Sequence, residues 1–334
     1  MNLDVLIPSL LLPAPILALR APPRVPALET LLARADQHSE DTATGSSWLC
    51  KRWGMTHPYS IAPVLAEYDG FDATGGGWMF AEPVHLKPER DQLDLLAAGF
   101  LDLSAHETTE LISALNAHFA DRGLQFFAQT PARWYVRCAH SEIPVTHSPF
   151  APRTGSLIDF QPRSAGKMDW RSLQNESQML FFGHHVNEAR EAIGKTTVSG
   201  VWFWGGGTMP ALERPTYDCV AASLPFAIQL ARKTRIDSCA LSLNEILSAQ
   251  GNVLAILDSC SGLTAAFDLL GWEREIERLE HSWFEPLNAA LLNGTVERLN
   301  LYVPDGTSTR EFHITRANRH LRFWRRTKPL ARYA

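Results

Sequence analysis

Apolar and polar positions divide the chain into three regions of different rhythm. In the first, Leu3–Leu12 reads as a buried first strand running into a Pro-rich loop, with Pro8, Pro13 and Pro15 along it. Pro26–Ala35 predicts a short helix, and Trp48–Gly54 and Ile61–Glu67 further helical pieces. Gly75-Gly76-Gly77 is a breaker ahead of an extended run from Trp78 to Leu86.

The second region reads β-α-β-β-α-β. Leu93–Leu103 is extended, and Ser104 with Glu107 forms an S-x-x-E capping box. The helix it opens carries Leu111, Leu115, His118 and Phe119 at helical spacing and stops near Gly123. Two strands, Gly123–Gln129 and Arg133–Ala139, flank a turn at Pro131. A Pro-rich connection from Ile143 to Arg163 leads to a second helix, Asp169–Ile193. Val198–Trp204 is the next strand, closed by Gly205-Gly206-Gly207.

In the third region Tyr217–Arg232 has a helical pattern despite Pro225, Leu243–Ala249 is a short helix and Val253–Leu257 a buried strand. Trp272, Ile276, Leu279, Trp283 and Leu287 mark one face of a long amphipathic helix, Gly271–Leu292. Leu299–Val303, a Pro304-Asp305-Gly306 turn and Arg310–Thr315 form a hairpin. A basic extended tail follows.

The segment from Gln178 to Gly194 carries two stripes. Met179, Phe182, Val186 and Ile193 make an apolar one; Gly183, Asn187, Arg190 and Gly194 make a second, about a quarter-turn away. A glycine inside a helix costs about 1 kcal/mol relative to alanine, so two of them flanking Asn187 and Arg190 imply a close approach. The approaching group is either an anion, which arginine clamps with paired donors, or another backbone segment. His184 and His185 are adjacent, point in different directions and cannot chelate together.

The composition narrows the function classes. The 334 residues are 45% apolar and 20% charged, enough for a sizeable core and about two domains. A net charge of −5 gives no reason to expect a dedicated nucleic-acid binder. The basic tail (Arg316, Arg319, Arg322, Arg325, Arg326 and Lys328, around Phe323 and Trp324) reads as a solvated strand edge. Five scattered cysteines, Cys50, Cys138, Cys219, Cys239 and Cys260, include no C-x-x-C pair and read as reduced thiols. Asp4 stands where a signal peptide has basic residues, and no run reaches the ~18 apolar residues of a membrane span. A cytoplasmic location is the expectation.

Two nucleotide motifs fail. Gly194-Lys195-Thr196 lacks the P-loop glycine, Ala189 standing in its place, and it ends a helix rather than opening one. Gly205–Gly207 is not G-x-G-x-x-G, although its permissive backbone could face a ligand.

Asn175-Glu176-x-Gln178-Met179, Val186-Asn187-Glu188-x-Arg190-Glu191 and Val201-Trp202-Phe203-Trp204-Gly205-Gly206-Gly207 resemble the archaeal-type cofactor-independent phosphoglycerate mutases. The likeness is closer still to a bacterial offshoot, the RpfE-type regulatory proteins. The resemblance implies an alkaline-phosphatase-like α/β core, with helices on both faces of its sheet, over residues 1–86 and 199–334. A smaller α+β insertion would occupy 87–198.

Such mutases hold two divalent metals with carboxylates and histidines and pass phosphate through a serine. Here Pro8-Ser9 replaces the family's Asp-Gly pair, and Asp258 is followed by Ser259-Cys260-Ser261-Gly262 without a histidine. Asp305-Gly306-Thr307-Ser308-Thr309 has glycine where the family has histidine. The expectation is therefore a catalytically degenerate, mutase-like protein with no metal or other cofactor and no catalytic residue. It would act by binding a phosphorylated small molecule through Asn187, Arg190, Lys195, Gly205, Gly206 and Gly207, or by binding a protein partner. The alternative is an active phosphoryl-transfer enzyme drawing on Ser9, Asp258, His281, Asp305 and His313.

Overall fold

The computed structural model describes residues 1–12, 16, 23–56, 60–88, 93–139, 143–144, 146–149, 162, 168–322 and 324–333. The chain divides into two compact units, Met1–Gly54 with Leu212–Ala334, and Met55–Ala211.

Unit 1 opens with β1 (Asn2–Leu6), α1 (Pro26–Arg34), β2 (Asp36–Glu40) and α2 (Gly45–Arg52). Unit 2 holds α3 (Ile61–Tyr68), β3 (Gly77–Pro88), β4 (Leu93–Ala97), α4 (Ala105–His118), β5 (Leu124–Thr130) and β6 (Arg133–Cys138). It ends with α5 (Trp170–Phe182), α6 (His185–Ala192) and β7 (Gly200–Gly207). Unit 1 resumes with β8 (Cys219–Ala222), α7 (Pro225–Lys233), β9 (Asp237–Cys239), α8 (Leu243–Ser248), β10 (Asn252–Ile256), α9 (Ser259–Ala265) and α10 (Leu269–Leu279). A π turn, Glu280–Phe284, joins α10 to α11 (Glu285–Asn293), and β11 (Arg298–Pro304), β12 (Thr309–Thr315) and α12 (Arg316–Leu321) follow.

Unit 1 is a mixed seven-stranded sheet, ordered β2-β12-β11-β1-β10-β8-β9. β1 lies parallel between β10 and β11, which explains its apolar run: a strand inside a parallel sheet is covered on both faces. Leu3 and Val5 face the core shared with α1, α10 and α11. Leu6 faces the opposite side, where Trp48 of α2 rests on Tyr302, so helices cover both faces. This is the expected α/β arrangement of a sheet with helices on both faces.

The long amphipathic helix is present, and Trp272, Ile276, Leu279, Trp283 and Leu287 are all buried. The π turn within it carries Glu280 inward, where its carboxylate accepts the N–H groups of Ala27 (2.5 Å) and Leu28 (3.0 Å) at the start of α1. Pro225 sits in the first turn of α7, where a missing N–H costs nothing, and the residues before it form β8 rather than helix. The basic tail is not an extended edge. It holds α12, and Arg322 and Arg325 donate to the carbonyls of Arg34 (3.1 Å) and Ala35 (3.0 Å) at the end of α1. Phe323 lies outside the described residues, as do Pro13, Pro15 and much of the connection expected from Ile143 to Arg163.

In unit 2 a long β3 organises an antiparallel sheet. Its ends pair with β6 and β4, and its other edge pairs with β7. α4 and α5 close one face over Met79, Phe126, Trp134, Val201 and Phe203. α3 closes the other over Trp78, Phe80 and Tyr135. Compactness draws the boundaries at 54/55 and 211/212, whereas the expected limits at 87 and 198 keep β3 and β7 with the core and part β3 from β4 and β6, with which it pairs.

Candidate functional site

The expected helix Asp169–Ile193 is two helices. α5 stops at Gly183, and His184 caps α6, its Nδ1 accepting the Val186 N–H at 3.2 Å. The break resets the helical phase. Met179, Phe182 and Ile193 of the apolar stripe are 78%, 91% and 70% exposed, and only Val186 goes inward with Asn187 and Arg190.

Asn187 fastens α6 to its surroundings on both sides of the amide. Its Nδ2 donates to Phe181 O (2.7 Å) and Val198 O (2.8 Å), and its Oδ1 accepts from Val198 N (2.9 Å). Arg190, 1% exposed, donates through Nε to Thr196 O (2.7 Å), through Nη1 to Glu107 Oε1 (2.8 Å) and Asp102 O (3.4 Å), and through Nη2 to Leu101 O. Glu107 closes the capping box at Ser104 as expected. Burial works against its charge, but the Ser104 N–H and Arg190 together hold its carboxyl below the ordinary range. Lys195 reaches the exposed Asp102 at 2.7 Å.

Asn187, Arg190 and Lys195 are thus brought together, but the first two face the chain's own carbonyls. Packing accounts for these contacts, but the close approach expected at Gly183 and Gly194 is not there: a Cβ on either would meet nothing within 4 Å, and the two glycines end α5 and α6. Gly205, Gly206 and Gly207 are explained by packing. A Cβ on Gly205 would lie 3.0 Å from the Phe80 ring, one on Gly206 2.4 Å from Met79 Cγ, and one on Gly207 1.9 Å from Ser60 Oγ. They lie inside β7 rather than after it, and they admit neighbouring side chains against its backbone.

The C-terminal ends of parallel strands, where α/β sheets usually place ligands, gather a different set in unit 1. Ser9 follows β1 in a left-handed conformation, φ 61°, which a non-glycine residue rarely adopts. Its Oγ accepts from Thr264 Oγ1 (3.0 Å), and its carbonyl accepts the Trp272 indole N–H (2.9 Å). Asp258 follows β10; burial pushes its carboxyl up, partly offset by the Ser261 hydroxyl. Asp305 follows β11, and its Oδ1 accepts the N–H groups of Thr307 and Ser308, both at 2.8 Å. Those bonds outweigh burial and hold Asp305 below the ordinary range while shaping the turn.

Of the alternative catalytic set, then, Ser9, Asp258 and Asp305 share one edge. The two histidines do not join them. His281 is exposed beside Glu285 (3.0 Å), and His313 sits within β12. Among the described residues no three His, Cys, Asp or Glu side chains are placed to hold a metal ion.

Pattern reading missed a polar chain crossing the sheet. Tyr217 donates to Asp4 Oδ2 (2.7 Å), Asn300 Nδ2 to Asp4 Oδ1 (2.7 Å), and His313 lies between Asn300 Oδ1 (2.9 Å) and Glu311 Oε2 (2.8 Å). Burial first, and Asp4 second, push the Tyr217 phenol well above its usual range. The signal was present: Asn300 and Tyr302 alternate with buried Leu299, Leu301 and Val303, a period of two with polar residues on one face. The expectation of five reduced thiols is corrected as well, since Cys219 and Cys239 form a disulfide.

No family model matches the sequence, and no curated protein matches it. Solved structures similar to the chain include two from archaea. The cofactor-independent phosphoglycerate mutase from Thermoplasma acidophilum aligns over 94% of this chain and 90% of its own, with 16% identity and a TM-score of 0.44. The PH0037 protein from Pyrococcus horikoshii aligns over 94% and 87%, with 13% identity and a TM-score of 0.53. No helix among the described residues is long and apolar enough to cross a membrane. At these identities the likeness is one of fold, and the chain shares its α/β fold with the PH0037 protein.

Proposed function

We propose that this chain is a phosphoglycerate-mutase-like protein that keeps the scaffold without the turnover, and acts in regulation by binding a phosphorylated small molecule. The observation that carries the reading is the chemistry at the ends of β1, β10 and β11. Two-metal phosphoryl transfer needs one ion to activate the nucleophile and another to stabilise the leaving oxygen, each inside a closed ligand shell. This edge offers the hydroxyl of Ser9, a half-buried Asp258, and an Asp305 whose Oδ1 already holds its own turn. The motif resemblance around Asn187 and Arg190 supports the scaffold half of the proposal. In this reading those residues stabilise unit 2 rather than touch the ligand, and the ligand meets the strand ends of unit 1.

A second reading, an active metal-dependent mutase or phosphatase, is favoured by one observation: Ser9 holds a strained backbone at that same edge, as nucleophiles in tight turns do. Calorimetric titration with 3-phosphoglycerate, alongside a mutase assay supplied with Mn²⁺, separates the two. Binding without turnover is the expected result. Sustained turnover abolished by Ser9→Ala would replace the first reading with the second.

A further inference from the structure

The five cysteines fall into two classes. Cys50, Cys138 and Cys260 are buried thiols, and burial pushes Cys260 up to about 12 and raises Cys50 as well. A buried thiol is out of reach of solvent thiols and disulfides, so these three stand outside thiol–disulfide chemistry in the folded chain. Cys219 and Cys239 are only half-buried and are joined to each other.

The bond occupies a particular place in the sheet. Cys219 lies opposite Asp237 and Cys239 opposite Ala221, so the bridge runs diagonally between parallel neighbours β8 and β9, with Cα atoms 6.5 Å apart. β9 is three residues long, ends the strand order, and pairs with β8 over three positions. Two of its residues, Asp237 and Ser238, are exposed, so apolar packing contributes little to holding it. β8, by contrast, also pairs with β10 over four positions and buries Val220 and Ala221. The approach to β9 is anchored separately: Ile236 is buried, and its N–H donates to Ala231 O at 2.9 Å.

We propose that the Cys219–Cys239 bridge is a reversible redox latch on the sheet edge, opened by a dithiol reductant and closed by a low-molecular-weight disulfide. In opening, a reductant thiolate attacks one bridge sulfur, the S–S bond breaks and a mixed disulfide forms. The second reductant thiol then displaces that cysteine. The bridge gains two electrons and two protons, and the reductant leaves as its own cyclic disulfide. Opening releases β9 between the Ile236 anchor and α8, and uncovers the outer edge of β8, a row of backbone donors and acceptors. The remaining six strands stay paired.

The test uses the full chain purified without reductant. Native alkylation followed by mass spectrometry should label neither Cys219 nor Cys239 before mild dithiothreitol treatment and both after it, while Cys50, Cys138 and Cys260 stay unlabelled. Amide exchange over residues 237–239 should then rise by about tenfold or more, with β1, β10 and β11 unchanged, and oxidised glutathione should reverse it. A Cys219→Ser/Cys239→Ser double variant should show the reduced pattern without reductant. The proposal is overturned by a native chain whose Cys219 and Cys239 stay free even after oxidised glutathione. It is equally overturned by a bridge that dithiothreitol cannot open in the folded chain, or by exchange that changes throughout the sheet or nowhere.

Discussion

Arg190 ties three backbone carbonyls, from two segments, and one carboxylate together from a position with 1% exposure. Truncation to alanine leaves Glu107 and the carbonyls of Leu101 and Thr196 without their donor. Breaking a buried ion pair costs about 3–5 kcal/mol, and the partial exposure of Glu107 places Arg190→Ala near the lower end. Urea unfolding should show that loss, with affinity for 3-phosphoglycerate unchanged. An intact urea midpoint with lost affinity would return Arg190 to the ligand. Asp258 makes a prediction of opposite sign. Burial raises its carboxyl above the ordinary ~3.9, so ionising it weakens the folded state, and stability falls as the pH rises through the raised value. Asp258→Asn removes that loss. Its thermal midpoint should match the parent below about pH 4 and exceed it near neutrality. The importance of Asn187 and Arg190 was legible in the sequence as a stripe beside glycines. Their partners were not, because Leu101, Glu107 and Thr196 come from segments that only tertiary folding brings to them.

At the scale of elements, the break at Gly183 decides which face of α5 and α6 is buried. Because it leaves Phe182 almost fully exposed, Phe182→Gln should change stability by no more than about 0.5 kcal/mol. Gly206→Ala forces a methyl group against Met79 and Ile143 and should cost about 1–3 kcal/mol. Denaturant melts of the two variants check both, and the reverse ranking would show that the helix is continuous. The α10 stripe was readable because its burial pattern runs unbroken through the π turn. β2 was not, since Asp36-Gln37-His38-Ser39-Glu40 has no apolar residue and is held by the ladder with β12. β8 was hidden because its four residues run almost directly into the apolar pattern of α7.

Over the whole molecule, β10, β1 and β11 of the parallel core were visible as apolar runs, and the strands and helices of the antiparallel unit as a change of rhythm. The unit boundaries were not, because the pairing of β3 with β4 and β6 leaves no mark in any of these strands alone. The functional account rests on the edge where Ser9, Asp258 and Asp305 meet the strand ends, with no three metal-ligating side chains grouped among the described residues. Its most direct test is elemental analysis of the chain purified without chelator. The account predicts Mn, Zn, Fe and Co each well below one atom per chain. Two tightly held divalent ions per chain, retained through gel filtration, would contradict it.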